Sequence, residues 1–166
     1  MRKILVIIGL VLSSFAVKAQ QELAFPFQGG KQVMMDYFKQ AIALNPDIMK
    51  KAASGLVVFK FTADEKGTIK KVIIYYADDI MLTQPLVDAL KQSDHKWIIP
   101  DREKLHDFIL PFNITFNIPA NGTAAVQKAL YNYYTTRRPV ITYNQVPLDM
   151  ATLLPTITVN YDLQVE

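Results

Sequence analysis

The stretch from Gly55 to Ile118 decides the fold, and it opens with GLVVFKFTADEKGTIKKVIIYY at residues 55–76. Leu56–Ala63 is apolar, with β-branched or aromatic residues at most positions, and Thr68–Tyr76 has a similar composition. The polar run between them ends in Gly67. A short polar loop that ends in glycine, between two such runs, predicts a β-hairpin.

The same stretch closes with FILPFNITFNI at residues 108–118, in which one face is apolar throughout. Period-two alternation predicts a strand with one buried face and one face in solvent. Pro111 favours a position at the edge of the sheet, because proline is disfavoured in central strands. The predicted buried face consists of Phe108, Leu110, Phe112, Ile114, Phe116 and Ile118.

Two helices are predicted beside these three strands. Apolar residues recur at helical spacing over Lys31–Ile42, and Asn45-Pro46 ends this helix because proline restricts the residue before it. Thr83 is the predicted N-cap of a second, shorter helix. The order helix, strand, strand, helix, strand predicts an α+β fold. We expect a two-layer sandwich, in which a three-stranded antiparallel sheet carries two helices on one face.

The residues after Pro119 are predicted to form a C-terminal appendage of one helix and two strands. The helix covers Thr123–Thr136, and the strands cover Val140–Tyr143 and Thr156–Leu163. The last strand could pair with the edge of the last core strand, in the same chain or in a neighbour, and cap or extend the sheet; a separate packing element is the alternative. The predicted organisation is therefore a signal peptide at 1–19, a main domain at 20–119 and the appendage at 120–166.

The N-terminus has the organisation of a secretory signal peptide. Arg2-Lys3 supplies a positive region, Ile4–Leu12 an apolar region, and Val17-Lys18-Ala19 a small-x-small exit. We predict cleavage before Gln20 and export to the periplasm. An uncleaved membrane anchor is the alternative, but Ile4–Ala16 as a helix spans only roughly 20 Å, against a hydrocarbon core of about 30 Å. We therefore expect cleavage and no stable membrane insertion of the mature chain.

Composition excludes several classes of protein. The chain has no cysteine, which excludes disulfides and a lipid-anchored lipoprotein. Of its 18 Lys and Arg residues, three lie in the predicted signal peptide, which leaves 15 against 15 Asp and Glu residues. Because nucleic-acid binding needs a clustered basic surface, a nearly neutral mature chain argues against nucleic acid as a partner.

The sequence contains no recognisable catalytic set. Both histidines lie in charged, loop-like sequence, and neither Ser54 nor Ser93 has a neighbouring motif that suggests an activated nucleophile. Asp78-Asp79 is interpreted as a turn. The Tyr and Arg cluster at residues 131–138 is interpreted as a packing face, with stacking against a glycan or peptide as the alternative. We therefore predict a protein that is not an enzyme and has no cofactor or metal.

One family matches the order of these elements. The patterns G-x-V-x-F-x-F at residues 55–61 and K-G-x-I-x-x-V-x-I at residues 66–74 resemble the core of the TonB C-terminal domain family. Phe25-Pro26 with Gly29-Gly30 is similar to the family's lead-in. Trp97 with Pro100, and Leu110-Pro111-Phe112, are similar to its later motifs. The chain departs from TonB itself, since it has neither a full membrane anchor nor a long Pro-rich spacer, and it adds the appendage.

The resemblance implies a transport-associated role and a binding site. In that family the partner peptide pairs with the exposed edge of the last core strand, and an edge strand offers unpaired main-chain groups to an extended peptide. An ordinary amphipathic strand without a binding role is the alternative. The corresponding partner-binding residues here are Phe112, Asn113, Ile114, Thr115, Phe116, Asn117 and Ile118.

Together these observations predict a non-catalytic, periplasmic protein–protein interaction module that binds a partner segment by strand addition. The partner is expected to be a protein or peptide of the cell envelope, for which an outer-membrane protein is one candidate. Two alternatives stay open: a self-paired structural or homo-oligomerisation module, and a cell-wall-binding or hydrolytic envelope protein.

Overall fold

The computed structural model describes residues 24–43, 45–46, 48, 52–118, 123–143 and 147–162. The predicted signal peptide lies outside these ranges. The described residues form three α-helices and six strands, with a 3₁₀ turn at Ile80–Leu82 before the second helix. The helices are α1 (Gly30–Ala43), α2 (Thr83–Gln92) and α3 (Ala124–Thr136). The strands are β1 (Gly55–Asp64), β2 (Ile69–Ala77), β3 (Leu105–Asn117), β4 (Val140–Ile141), β5 (Thr152–Leu153) and β6 (Ile157–Asp162).

The predicted fold class is wrong in the size and type of the sheet. In place of three antiparallel strands, the described residues form a six-stranded mixed sheet in the order β4-β2-β1-β3-β5, with β6 also bonded to β3. The first four of these strands pair antiparallel, whereas β5 and β6 run parallel to β3. The error arose because the C-terminal residues add three strands and a third helix. A parallel neighbour needs a long crossover connection, which a local pattern does not reveal.

The predicted hairpin is confirmed. β1 and β2 pair antiparallel, and the Asp64 side chain closes the turn by accepting the backbone N–H groups of Lys66 and Thr68, both at 2.9 Å. Gly67 has φ +74°, and a Cβ there would lie 2.6 Å from the backbone oxygen of Trp97. Because both the left-handed backbone and this close approach exclude a side chain, the turn requires glycine.

Both predicted helices form and bury their apolar stripes in the core. Met34, Phe38 and Ile42 of α1 are buried, and the Phe38 ring lies 5.5 Å from that of Phe112 on β3. The prediction that Thr83 is the N-cap of α2 is wrong, because Thr83 is already the first helical residue. Asp79 instead accepts the N–H of Met81 at 3.0 Å and starts the 3₁₀ turn that leads directly into α2.

The lead-in and the tryptophan segment meet in space. Phe27 and Trp97 form an antiparallel bridge, and their ring centroids lie 5.1 Å apart in an edge-to-face arrangement. Gln28 donates its N–H to the carbonyl of Lys96 at 2.8 Å. Two motifs that are distant in the sequence therefore form one aromatic corner of the core.

The described residues between β4 and β5, 142–143 and 147–151, are called the strap; β4 lies at one side of the sheet and β5 at the other. Lys60, on the sheet face opposite α1 and α2, donates to the carbonyl of Pro147 in the strap and forms an ion pair with Asp107 at 2.9 Å. Burial of the Asp107 carboxyl opposes the effect, but hydrogen bonds from Thr62 and Lys60 lower its pKa below the ordinary value. The strap covers part of the face that the alternation of β3 assigned to solvent, and Ile109 there is only 9% exposed.

Candidate functional site at the edge of the sheet

The predicted partner-binding segment Phe112–Ile118 lies on an interior strand. β1 pairs with one side of β3, and β6 pairs in parallel with the other side along Phe112–Asn117. Ile118, which was predicted to be buried, follows the strand and is 55% exposed. The predicted pairing of the C-terminal segment with the last core strand is confirmed. The edge that was expected to receive a partner is therefore filled by a strand of the same chain.

The apolar face of β6 holds it on the sheet. Ile157, Val159 and Tyr161 are each at most 9% exposed and belong to the main core. At about 2 kcal/mol for each buried side chain, they contribute roughly 6 kcal/mol. The Tyr161 hydroxyl also donates to the carbonyl of Ala53 at 2.8 Å, and burial raises the pKa of this phenol. β6 is thus an integral strand rather than a loose cap.

Polar side chains reinforce the pairing of β3 and β6 on the opposite face. The Asn117 amide donates to the Asp162 carboxylate at 2.8 Å and its oxygen accepts from the Asn160 amide at 2.7 Å. These side chains are exposed, so each bond contributes little to stability. They agree with the register of β6 on β3 that the buried face specifies, because a shift by one residue would turn Ile157, Val159 and Tyr161 toward solvent.

Pro111 lies in an interior strand because of a break in the neighbouring strands. Ile109 accepts the N–H of Leu154 at 2.9 Å, so the odd-numbered residues of β3 direct their main-chain groups toward β5 and β6. The missing N–H of Pro111 therefore faces this side, between the end of β5 at Leu153 and the start of β6 at Ile157. Proline costs no ladder bond there, which explains why it does not mark a sheet edge.

The new edge of the sheet is the outer side of β6. Its odd-numbered residues direct their main-chain groups toward β3, and Thr158 and Asn160 therefore direct theirs outward. Within the described ranges, no strand pairs with this outer side. Both side chains are exposed. The period-two pattern of the predicted strand Thr156–Leu163 contained this information, but the pattern alone did not show which neighbour β6 would have.

The paired aspartates serve the backbone, in agreement with their interpretation as a turn. Asp78 accepts the N–H of Leu56 at 2.6 Å and the hydroxyl of Tyr76 at 2.5 Å. Although burial opposes the shift, these hydrogen bonds lower the pKa of the Asp78 carboxyl. Asp79 caps the 3₁₀ turn. Neither carboxylate is therefore arranged for acid–base chemistry on a ligand.

The Tyr and Arg cluster packs against the start of β1. Tyr133 is buried; its hydroxyl donates to the carbonyl of Ser54 at 2.7 Å and lies 2.5 Å from the Ser54 hydroxyl. The Arg137 guanidinium lies 4.7 Å from the Tyr133 ring centroid and donates to the same carbonyl at 3.0 Å. Tyr131 and Tyr134 remain exposed. These contacts support the interpretation as a packing face.

The remaining candidates bring no ligand site together. Ser93 is fully buried, and its hydroxyl bonds the Leu90 carbonyl and the Trp97 indole N–H. The Nδ1 atom of His106 lies 2.7 Å from the Glu103 carboxylate, and its Nε2 atom lies 2.7 Å from the Thr152 hydroxyl. In the part of the chain that the structure describes, no group of three His, Cys, Asp or Glu side chains could hold a metal ion. Nor is any helix there both long and apolar enough to cross a membrane.

Comparisons with protein-family models, curated proteins and solved structures found no match to this chain. The resemblance to the TonB C-terminal domain family therefore stays a prediction from the sequence motifs.

Proposed function

We propose that this chain is a non-catalytic protein-binding module, which takes up a segment of a partner protein as an additional strand of its sheet. One observation supports the proposal most directly: the β3 edge already carries an added parallel strand, β6, whose own outer side has no partner within the described residues. An extended peptide can bond to such an edge through main-chain groups alone.

In this proposal, Phe112–Ile118 does not contact the partner; it holds β6 in the sheet, and β6 contacts the partner. Displacing β6 would expose the three buried side chains that hold it, at a cost of roughly 6 kcal/mol. A partner strand that pairs with the outer main-chain groups of Thr158 and Asn160 avoids that cost. Such pairing supplies only a few hydrogen bonds of about 1 kcal/mol each, so we expect modest affinity and fast exchange.

A substitution that removes a single main-chain donor tests the proposal. Peptides are first selected from a displayed random library on the unmodified protein. Thr158→Pro then removes one outward N–H, while the ladder bonds to β3 come from neighbouring residues. Thr158→Ala is the matched control, because it changes the side chain but keeps the N–H. We expect binding to fall about fivefold in T158P, as for the loss of one hydrogen bond of about 1 kcal/mol, and to persist in T158A. Equal binding by both variants would contradict strand addition at β6.

A second candidate function has a specific observation in its favour. β6 fills the predicted edge in the same chain, which favours a structural or homo-oligomerisation module whose sheet is self-paired. A library selection that yields no peptide for the β6 edge, together with self-association in sedimentation experiments, would favour this alternative.

We also propose that binding takes place in the periplasm. The support is the signal-peptide pattern at residues 1–19, followed by a predicted cleavage site before Gln20. Intact-mass measurement of the protein from the periplasmic fraction should give a chain that begins at Gln20. A full-length chain in the cytoplasmic fraction would contradict this localisation.

A further inference from the structure

A second sheet edge, on β2, borders an open groove beneath helix α2. The groove has a volume of about 560 Å³. Among the described residues, β4 pairs only with Tyr76 and Ala77 at the end of β2, and none pairs with the preceding residues of this edge. Apolar side chains from both elements line the groove: Ile69, Val72, Ile74 and Val87.

Main-chain groups of β2 point into this groove. Lys71 and Ile73 stand opposite Thr62 and Lys60 in the ladder with β1, at positions where both strands direct their main-chain groups toward each other. Val72 therefore directs its N–H and carbonyl outward, and so does Ile74. No described residue forms a hydrogen bond with these groups.

At each end of this open edge, a main-chain group of β2 that points away from β1 already forms a hydrogen bond. At one end, the Ile69 N–H donates to the Asp94 carboxylate at 2.6 Å. At the other end, the Tyr75 carbonyl accepts the N–H of Thr142 at 3.2 Å. The segment between them offers two donors and two acceptors at strand spacing, which suits three to five residues of an extended peptide.

The charge of the groove selects the kind of peptide. Lys70 is neutralised by Asp64 at 2.9 Å, and the one acid in the groove, Asp94, accepts the Ile69 N–H and contributes a single negative charge. Lys71 and Lys91 also line the groove, and neither forms an ion pair within the described part of the chain. The uncompensated charge is positive, so an acidic ligand is favoured.

The two faces of β2 set the pattern of that ligand. Val72 and Ile74 pack against the core on the α2 side, whereas Lys71 stands opposite Thr62 and lies on the other face of the strand. A strand added beside β2 places alternate side chains on these two faces. We propose that the groove binds an extended acidic segment of a partner protein, in which apolar residues that contact Val72, Ile74 and Val87 alternate with Glu or Asp residues near Lys71.

The proposal goes beyond strand addition at β6, because it assigns a separate site on the opposite side of the sheet. Its test uses a fluorescein-labelled peptide, Glu-Val-Glu-Val-Glu, with Lys-Val-Lys-Val-Lys as the charge-reversed comparison. Fluorescence polarisation with the full protein should give a Kd of roughly 0.1–1 mM for the acidic peptide only. Backbone amide exchange should show slower exchange of the Val72 and Ile74 N–H groups in the complex.

Charge-reversal variants complete the experiment. We expect K71E to weaken binding at least threefold, because it places an acid beside the Glu side chains of the peptide. K91E should weaken binding less, because Lys91 lines the groove on the α2 side and acts on the charge of the peptide as a whole. Lys39 is exposed on α1, outside the groove, so K39E carries the same change in net charge and should bind as the unmodified protein does. Equal binding of both peptides or equal loss in all three variants would overturn the proposal. Protection at Thr158 and Asn160 instead of Val72 and Ile74 would also overturn it and assign the peptide to the β6 edge.

Discussion

The substitution Ile157→Ala tests whether the C-terminal segment belongs to the folding unit of the sheet. Ile157 is fully buried on β6 beside Phe112, within the same core cluster as the helices. Truncating a buried isoleucine to alanine costs about 3 kcal/mol, because apolar contacts are lost and a cavity remains. With a urea slope of about 2 kcal/mol per M for a chain of this size, the unfolding midpoint should fall by about 1.5 M.

The fluorescence of Trp97 is the assay for unfolding. Trp97 is the only tryptophan of the chain and is buried in the aromatic corner, where its ring lies 4.5 Å from Phe61 and 5.5 Å from Phe108. Its fluorescence therefore reports unfolding of the main core rather than local loss of β6. If β6 is integral, Ile157→Ala lowers the midpoint measured at Trp97 and the transition stays cooperative.

The matched control is Thr158→Ala, one residue along the same strand. Thr158 is exposed, so the change in free energy of unfolding should be below about 0.5 kcal/mol. The reasoning is refuted if Ile157→Ala leaves the Trp97 midpoint unchanged while circular dichroism reveals an earlier, separate transition. That result would restore residues 120–166 as an independent appendage.

Three further predictions concern the turn and the sheet. Gly67→Ala should destabilise the protein by about 1–3 kcal/mol in thermal unfolding, because φ is +74° and the added Cβ would lie 2.6 Å from the Trp97 carbonyl; an unchanged Tm would contradict this. A hydrogen bond from Lys70 lowers the pKa of Asp64 to about 2, so its contribution to stability is complete above about pH 5 and is lost as the pH falls toward about 2. Asp64→Asn should make the urea midpoint less dependent on pH across that window. A pH dependence equal to that of the unmodified protein would show that the Asp64 carboxylate is not its cause. Thr115→Pro removes an N–H that faces β6 and should lower stability by about 3 kcal/mol relative to Thr115→Val, whereas equal urea midpoints would mean that this edge is open.

The local elements could be predicted from the sequence because their signals are local. The hairpin follows from two β-rich runs and a glycine turn, and the buried face of β3 follows from its alternation as far as Ile114. The helix periodicity likewise placed Met34 and Phe38 in the core. Such patterns specify which face of an element is buried.

The arrangement of the sheet could not be predicted in the same way. Period two shows which face of Thr156–Leu163 is apolar, but it does not show which strand lies beside it or in which direction that strand runs. The pairing with β3 depends on a long connection through α3, β4 and the strap. Pro111 then gave a misleading signal, because its missing N–H coincides with the gap between β5 and β6.

The position of the binding edge could not be predicted either, because it also depends on residues that are distant in the sequence. The motifs predicted that Phe112–Ile118 is a free edge. Its interior position depends on β6, more than 40 positions later in the sequence. The groove beside β2 had no signal in the sequence, because it combines the edge of one element with the side of another, α2. Only the three-dimensional arrangement brings Lys71 and Lys91 to the lining of one groove.

Backbone amide exchange of the free protein tests the central claim, that β6 fills the β3 edge and presents a new open edge. We predict slow exchange for the N–H groups of Thr115 and Tyr161, which lie between the two strands, and fast exchange for those of Thr158 and Asn160. Fast exchange at Thr115 would show that the β3 edge is unoccupied. Slow exchange at Thr158 and Asn160 would show that the outer edge is already paired, and would contradict a free binding edge.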